Sequence, residues 1–182
     1  MSATATTLPT GTWNVDPTHS RVGFRVKHLG ISTVRGEFRG YEGRLVVDDD
    51  GSVTASGKVD VSSIDTADGD RDAHLKSADF FDAETYPEIT FESTSITAKD
   101  EDTYEITGDL TLHGVTKSIT LTAEAGGSEV DPFGNTRIGF EVTGQISRSD
   151  FGMKFNMALG SGNLAVSDKV RLDLDISAVK AA

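Results

Sequence analysis

Residues 64–91, IDTADGDRDAHLKSADFFDAETYPEITF, decide how the rest of the chain is read, because they are the one long segment without a strand's alternation. Within them Asp70, Arg71, Asp72, Ala73, His74 and Leu75 suit a short helix after Gly69, with Asp72 and Lys76 at a supportive i, i+4 spacing. Ala73, Leu75, Ala78, Phe80 and Phe81 supply apolar surface. Asp82 is a candidate cap for a further turn, and Pro87 forces extended backbone before Ile89. The expectation is an amphipathic helical insert, about residues 68–85, in a protein that is otherwise sheet.

Upstream of the insert, Val22, Phe24, Val26 and His28 alternate with Arg21, Gly23, Arg25 and Lys27, the pattern of a half-buried strand. Val34, Gly36, Phe38 and Gly40 line the inner face of a second strand, and Leu45 and Val47 that of a third, which ends at the Asp48, Asp49, Asp50, Gly51 turn. Val53, Ala55, Gly57, Val59 and Val61 then alternate with polar residues and deliver the chain to the insert. Met1 to Thr10 is small, polar and threonine-rich, the composition of a disordered tail, which leaves residues 11–182 as one domain.

Downstream, inward faces recur at Ile89, Phe91 and Ser93, and at Tyr104, Ile106, Gly108, Leu110 and Leu112. A tight turn at His113 and Gly114 follows, then Val115, Lys117, Ile119, Leu121 and Ala123, whose opposite face is threonine and serine. After the Asp131 to Gly134 turn come Ile138, Phe140, Val142, Gly144 and Ile146, and Val170, Leu172, Leu174 and Ile176 give a closing strand. Residues 149–162 are irregular, with Phe151, Met153, Phe155, Met157 and Leu159 able to cover one end of a barrel. Strands joined by short polar turns give an antiparallel meander, whose two edges must be paired or covered. Barrel closure does this, and Gly23, Gly36, Gly40, Gly57, Gly108, Gly139 and Gly144 permit the coiling it needs; a sandwich fits the same pattern.

A net charge of −12 argues against a nucleic-acid partner. Residues 1–47 nevertheless carry six basic against three acidic side chains, a balance of +3 that leaves −15 to the rest. Arg21, Arg25 and Lys27 on one strand face are read either as a solvated surface or as a face for anionic lipid or a second subunit. Cysteine is absent, which excludes disulfides and thiol chemistry. MSATATTLPTG has neither the charge nor the apolar run of a secretory leader, and no stretch has transmembrane length, so the expectation is a soluble, cytoplasmic protein.

Each of the four histidines, His19, His28, His74 and His113, is first read as a hydrogen-bonded structural residue. Alternatively His28, Arg71, His74 and Arg148 converge at a barrel mouth and hold a polar or phosphorylated headgroup, arginine being suited to bidentate contact. No metal site is expected, since no histidines stand at ligand spacing and the Asp68, Asp70, Asp72 run lacks the rest of a calcium loop. Asp72 beside His74 is the nearest approach to an acid–base pair, and no nucleophile accompanies it, so no catalytic residue is assigned.

Five stretches stand in a distinctive order: DPTHSRVGFRVKHLGISTVRGEF, RDAHLKSADFFD, YPEITFES, GDLTLHGVTKSITL and ISRSDFGM. Together they resemble the motifs of the YceI-like family of polyisoprenoid-binding proteins, from about Trp13 to about Ile176. The resemblance implies an extended, antiparallel, eight-stranded lipocalin-like β-barrel around a long-chain lipid. It implies binding, storage or transport of an isoprenoid-type lipid, polyprenyl or quinone-like, or of another long-chain amphiphile, with no further cofactor. The lipid-contacting residues are then Phe24, Val26, Phe38, Leu45 and Phe91, with Leu110, Leu121, Phe140, Ile146, Leu172 and Leu174. Leu75 and Phe80 of the insert and Phe151 of the irregular segment complete the set. Homodimerisation is a further expectation from the family. Many YceI-like proteins look exported, so the lack of a leader is a departure. Without the resemblance the same apolar faces describe a filled core as well as a cavity. An enzyme isomerising or cyclising a bound unsaturated lipid and a ligand-free, partner-binding barrel are the alternatives.

Overall fold

The computed structural model of the chain describes residues 8–162 and 164–182. Most of the expected N-terminal tail lies outside these residues, but Leu8 packs against the core and the Pro9 carbonyl accepts the Trp13 indole N–H at 3.1 Å, so ordered packing begins before residue 11.

The strands are β1 (Gly11–Val15), β2 (Arg21–His28), β3 (Ser32–Phe38), β4 (Tyr41–Val47), β5 (Val53–Asp60) and β6 (Ile64–Asp65). The helix α1 (Gly69–Lys76) follows, and then β7 (Glu88–Ala98), β8 (Thr103–Leu112), β9 (Val115–Val130), β10 (Thr136–Ser147) and β11 (Val166–Lys180). Neighbours pair antiparallel in the order β1-β4-β5-β7-β8-β9-β10-β11, and β11 returns to β1, which closes an eight-stranded barrel. Closure removes the open edges that a sandwich would have kept.

Three positions in the barrel wall are each shared by two short strands. Along one edge β11 holds β2 through Val166–Asp175 and β1 through Ala178–Lys180. The chain breaks between β1 and β2 because Pro17 cannot donate and Asp16 turns its carboxylate onto the Thr18 N–H (3.0 Å). In the same way β3 continues into β4, and β5 into β6 past a turn at Val61–Ser63 capped by Asp60. β5 pairs with β7, but among the described residues β6 pairs only with β3, so the wall parts beyond the Val61 N–H to Pro87 carbonyl bond (2.9 Å). The insert fills that gap.

Asp68 caps α1 by accepting the Arg71 N–H at 3.0 Å. Asp72 does not reach Lys76; its Oδ1 accepts from the N–H and the hydroxyl of Thr66, at 2.9 and 2.6 Å. Thr66 is 4% exposed, and buried donors need acceptors more than a surface helix gains from an exposed ion pair. Asp82 takes a positive φ of 49° and its carbonyl accepts from Tyr86 N–H, closing a turn rather than starting a helix.

The insert, the β2–β3 and β8–β9 hairpins and the segment 148–165 gather at one end of the barrel, here the helix end. The β4–β5, β7–β8 and β9–β10 hairpins mark the opposite, hairpin end. Trp13, fully buried, packs with Val47, Ile138 and Ala178 toward the hairpin end, and Phe80, Phe151 and Met153 pack with Leu110, Leu112 and Ile146 toward the helix end. Two inward glycines make room for rings: a Cβ on Gly36 would stand 2.3 Å from Phe24 Cζ, and one on Gly108 2.4 Å from Phe91 Cζ. No helix among the described residues is long and apolar enough to cross a membrane.

A charged clasp fastens the β1–β2 break to the β9–β10 hairpin. Arg137 donates to Asp16 Oδ2 (2.8 Å) and to Asp131 Oδ2 (2.7 Å). Its guanidinium holds both carboxyls below the usual carboxylate range, Asp131 at about 2. Depressed folded-state values stabilise the fold above the unfolded value of about 4, and this stability drains away as pH falls through the folded values. The melting temperature should therefore hold above about pH 5 and drop between about pH 4 and pH 2, and Arg137→Gln should remove part of that drop. Equal losses in the two proteins on acidification would detach the clasp from acid stability.

Candidate functional site

The inward faces of the strands do not meet. They enclose a cavity of about 340 Å³, within the size range of small-molecule sites, with walls made almost wholly of carbon. Of the residues expected to line it, Phe24, Val26, Phe38, Leu45, Phe91 and Leu110 do so, as do Leu121, Phe140, Ile146, Leu172 and Leu174. Leu75 and Phe80 of the insert border it too. Phe151 does not: it is 1% exposed and packs beside Met153 in the cluster under the irregular segment. Tyr104, Ile106, Val22 and Phe81 line the cavity and were not in the expected set, though all but Phe81 stand at inward positions of the same alternation. Gly43 and Gly57 face each other across β4 and β5; Val15 Cγ2 takes the space a Gly43 side chain would need, whereas Gly57 leaves its own open.

Arg148 borders the cavity at 5% exposure. The chain leaves β10 in a short turn over Arg148–Phe151, ending at Gly152 with φ 78°, and this aims the guanidinium back under the segment that follows. It donates to the carbonyls of Met153 (2.8 Å), Phe155 (2.9 Å), Ser167 (3.0 Å) and Val166 (3.3 Å), and lies 5.9 Å from the Phe80 ring centroid. Burial pushes its pKa down, opposed by the nearby Asp168. Four of its five N–H groups are spent on backbone, so its first role is to pin residues 153–167 over the helix end.

The other three residues of the expected headgroup cluster stand apart from that position. Arg71 is exposed and donates to the Thr66 hydroxyl (2.8 Å) and carbonyl (2.7 Å). His74 pairs with Asp79 (2.9 Å), not with Asp72, and meets Phe80 and Phe155 edge-on at 5.1 and 5.3 Å. Phe80 and Phe155 each touch both His74 and Arg148 and stand between them. His28, expected on the inner face, is exposed at the last position of β2, where the strand leaves the barrel. His113 donates to the Phe151 carbonyl at 3.0 Å and His19 pairs with Asp16, both structural. Among the described residues no group of histidines and carboxylates could hold a metal ion.

Only part of the basic face is free. Arg21 pairs with Glu37 (2.9 Å), and Arg39 with Glu37 and Asp65 (3.0 and 2.7 Å), whereas Lys27 makes no ion pair among the described residues.

The family model of the YceI-like domain matches residues 13–178. The chain belongs to the YceI-like family. Among relatives, protein YceI of Escherichia coli O17:K52:H18 is 44% identical over 147 residues, 79% of this chain and 75% of that protein. The crystal structure of the Campylobacter jejuni YceI protein matches with a TM-score of 0.73 and 32% identity, covering 86% of this chain and 90% of that one. A polyisoprenoid-binding domain from Saccharophagus degradans matches with a TM-score of 0.68 over 93% of this chain and 98% of that one; at 19% identity it shares the fold. None of these three carries the name of an enzyme. For this YceI-like barrel the candidate site is the cavity, bordered by the insert and by the segment that Arg148 pins.

Proposed function

We propose that this YceI-like protein binds one long-chain amphiphile of isoprenoid type, polyprenyl or quinone-like, in its barrel and stores or carries it. The observation that carries this reading is a 340 Å³ cavity with carbon walls inside a closed barrel, where water gains nothing and a hydrocarbon chain gains much. The Saccharophagus degradans neighbour, named for polyisoprenoid binding, supports the same ligand class. About ten enclosed methylene-sized groups contribute about 8 kcal/mol before ordering costs, a gain that requires no polar contact. The polar end belongs beside Arg148, which borders the cavity and whose fifth N–H makes no hydrogen bond among the described residues. Carriage also requires contact with a membrane or a partner, and a homodimer accords with the family.

Mass spectrometry of freshly purified protein, native and after organic extraction, tests this. A lipid near one per chain is the expected result. An empty barrel that also refuses added isoprenoid alcohols and quinones would end the proposal.

A further inference from the structure

The register of the barrel builds a feature on its outer wall that is separate from the cavity. Arg25 of β2 stands directly opposite Arg35 of β3 on one side and Arg171 of β11 on the other. Three guanidinium groups thus lie in one row across adjacent strands, about 5 Å apart at the backbone. Like charges placed directly opposite repel, and the row has little to relieve it. Among the described residues the row's one ion pair is Arg25 Nε with Asp173, at a long 3.7 Å, and that nitrogen is buried with no hydrogen-bond acceptor; Glu37, one step along the face from Arg35, is taken by Arg21 and Arg39. Arg35 and Arg171 are exposed and, among the described residues, make no ion pair; Lys27 and Lys169, one step along the same faces, are likewise exposed and unpaired.

The same strands end in an apolar rim. The Leu29 N–H bonds to the Ala165 carbonyl (2.8 Å) and the Ala165 N–H to the Met157 carbonyl (2.9 Å), which joins the β2–β3 hairpin to the segment over the cavity. Around this junction Ile31 is 82% exposed, Met157 63% and Leu164 54%, three of the large apolar side chains the fold leaves in water. Arg25 is three residues from His28 at the hairpin, about 10 Å along the strand, so cations and apolar rim share one corner of the molecule.

We infer that this corner docks on an anionic membrane surface, with Ile31, Met157 and Leu164 entering the headgroup region and Arg25, Lys27, Arg35, Lys169 and Arg171 meeting lipid phosphates and carboxylates. Charge decides for a membrane, since a row of unrelieved cations beside exposed apolar residues matches anionic headgroups over acyl chains. The net charge of −12 does not prevent it. Asp48, Asp49, Asp50, Asp100, Glu101 and Asp102 crowd the hairpin end, about 30 Å away along the strands, against a screening length of about 8 Å at physiological salt. In the nearby insert Asp65, Asp68, Asp72 and Asp79 are held by Arg39, the Arg71 N–H, Thr66 and His74. Docking in this orientation sets the pinned segment and the helix end against the lipid surface. Val166, which lines the cavity, is the residue next to Ala165.

The experiment is co-sedimentation with phosphatidylcholine vesicles, with and without phosphatidylserine, for the wild-type chain, Arg35→Gln/Arg171→Gln and Ile31→Ser/Leu164→Ser. The expected result is binding that needs phosphatidylserine and disappears at high salt, weakened about fivefold for each arginine removed. The serine variant should bind more weakly at every salt concentration. All positions are exposed, so melting temperature and lipid uptake from detergent solution should stay at wild-type values. Equal, or absent, binding to both kinds of vesicle overturns the proposal. So does a result in which the variants bind vesicles as wild type does but shift a monomer–dimer equilibrium in sedimentation velocity, which gives the corner to a second copy. Uptake is scored separately, so an empty cavity and a failed membrane contact are told apart.

Discussion

Replacing Arg148 by methionine is expected to lower the melting temperature by about 10 °C and to expose residues 152–165 to hydrogen exchange. Methionine matches the volume but supplies no donor, so the carbonyls of Met153, Phe155 and Ser167 lose their partner. The Val166 carbonyl keeps the Asn156 side-chain N–H at 2.7 Å. A buried acceptor left unsatisfied costs about 1–3 kcal/mol, and partial rescue by water brings the total for three to about 4 kcal/mol. At this chain length 1 kcal/mol is worth about 2–4 °C. Arg148→Lys should recover only part of the loss, because one ammonium cannot reach carbonyls spread over fifteen residues of chain. A methionine variant melting within about 2 °C of wild type would show the segment to be held by its own packing, through Phe151 and Met153, and not by the guanidinium.

Gly57→Phe is expected to reduce lipid uptake by about a hundredfold while leaving the barrel folded. A Cβ on Gly57 meets only the Glu42 carbonyl, at an ordinary 3.5 Å, and Gly57 takes the inward alternation of Ala55 and Val59, so the ring is directed into the cavity. Displacing about four methylene groups of ligand costs about 3 kcal/mol, which is the hundredfold. Gly36→Ala is the contrasting case: its methyl collides with Phe24 and should cost stability rather than affinity. Full uptake by the Gly57 variant, with an unchanged circular dichroism spectrum, would place the lipid outside the barrel.

Strand alternation and turn chemistry made most of the wall legible, since a residue two places from an inward phenylalanine is inward too. The helical insert was legible for the opposite reason, a long stretch without that alternation. Family motifs decided closure over sandwich, because periodicity alone does not count barrel strands. Side-chain partnerships chosen by burial were not legible. Asp72 turned to Thr66 instead of Lys76, and Arg148, grouped with His28, Arg71 and His74 as a headgroup site, spends itself on backbone carbonyls that only the fold brings near. His28 kept the right parity but stands where its strand leaves the barrel, and parity carries no information about depth. The arginine row was hidden as well, because Arg171 joins Arg25 from 146 positions away by register alone.

Closure itself bears on how the chain reaches its fold. The barrel shuts when Trp13, Asn14 and Val15 find Lys180, Val179 and Ala178, so the first strand waits for the last. Pairing across such a separation carries a high loop-closure cost before any return, which slows folding of all-β domains into the millisecond-to-second range. During synthesis β1 and β2 can pair early with β4 and β3, but the edge each turns to β11 stays open until β11 is complete. Arg25 and Lys27 on β2 then hold that waiting strand in solution, as charges do on exposed sheet edges, and a chain truncated before Ala178 should accumulate as aggregate rather than as an open barrel.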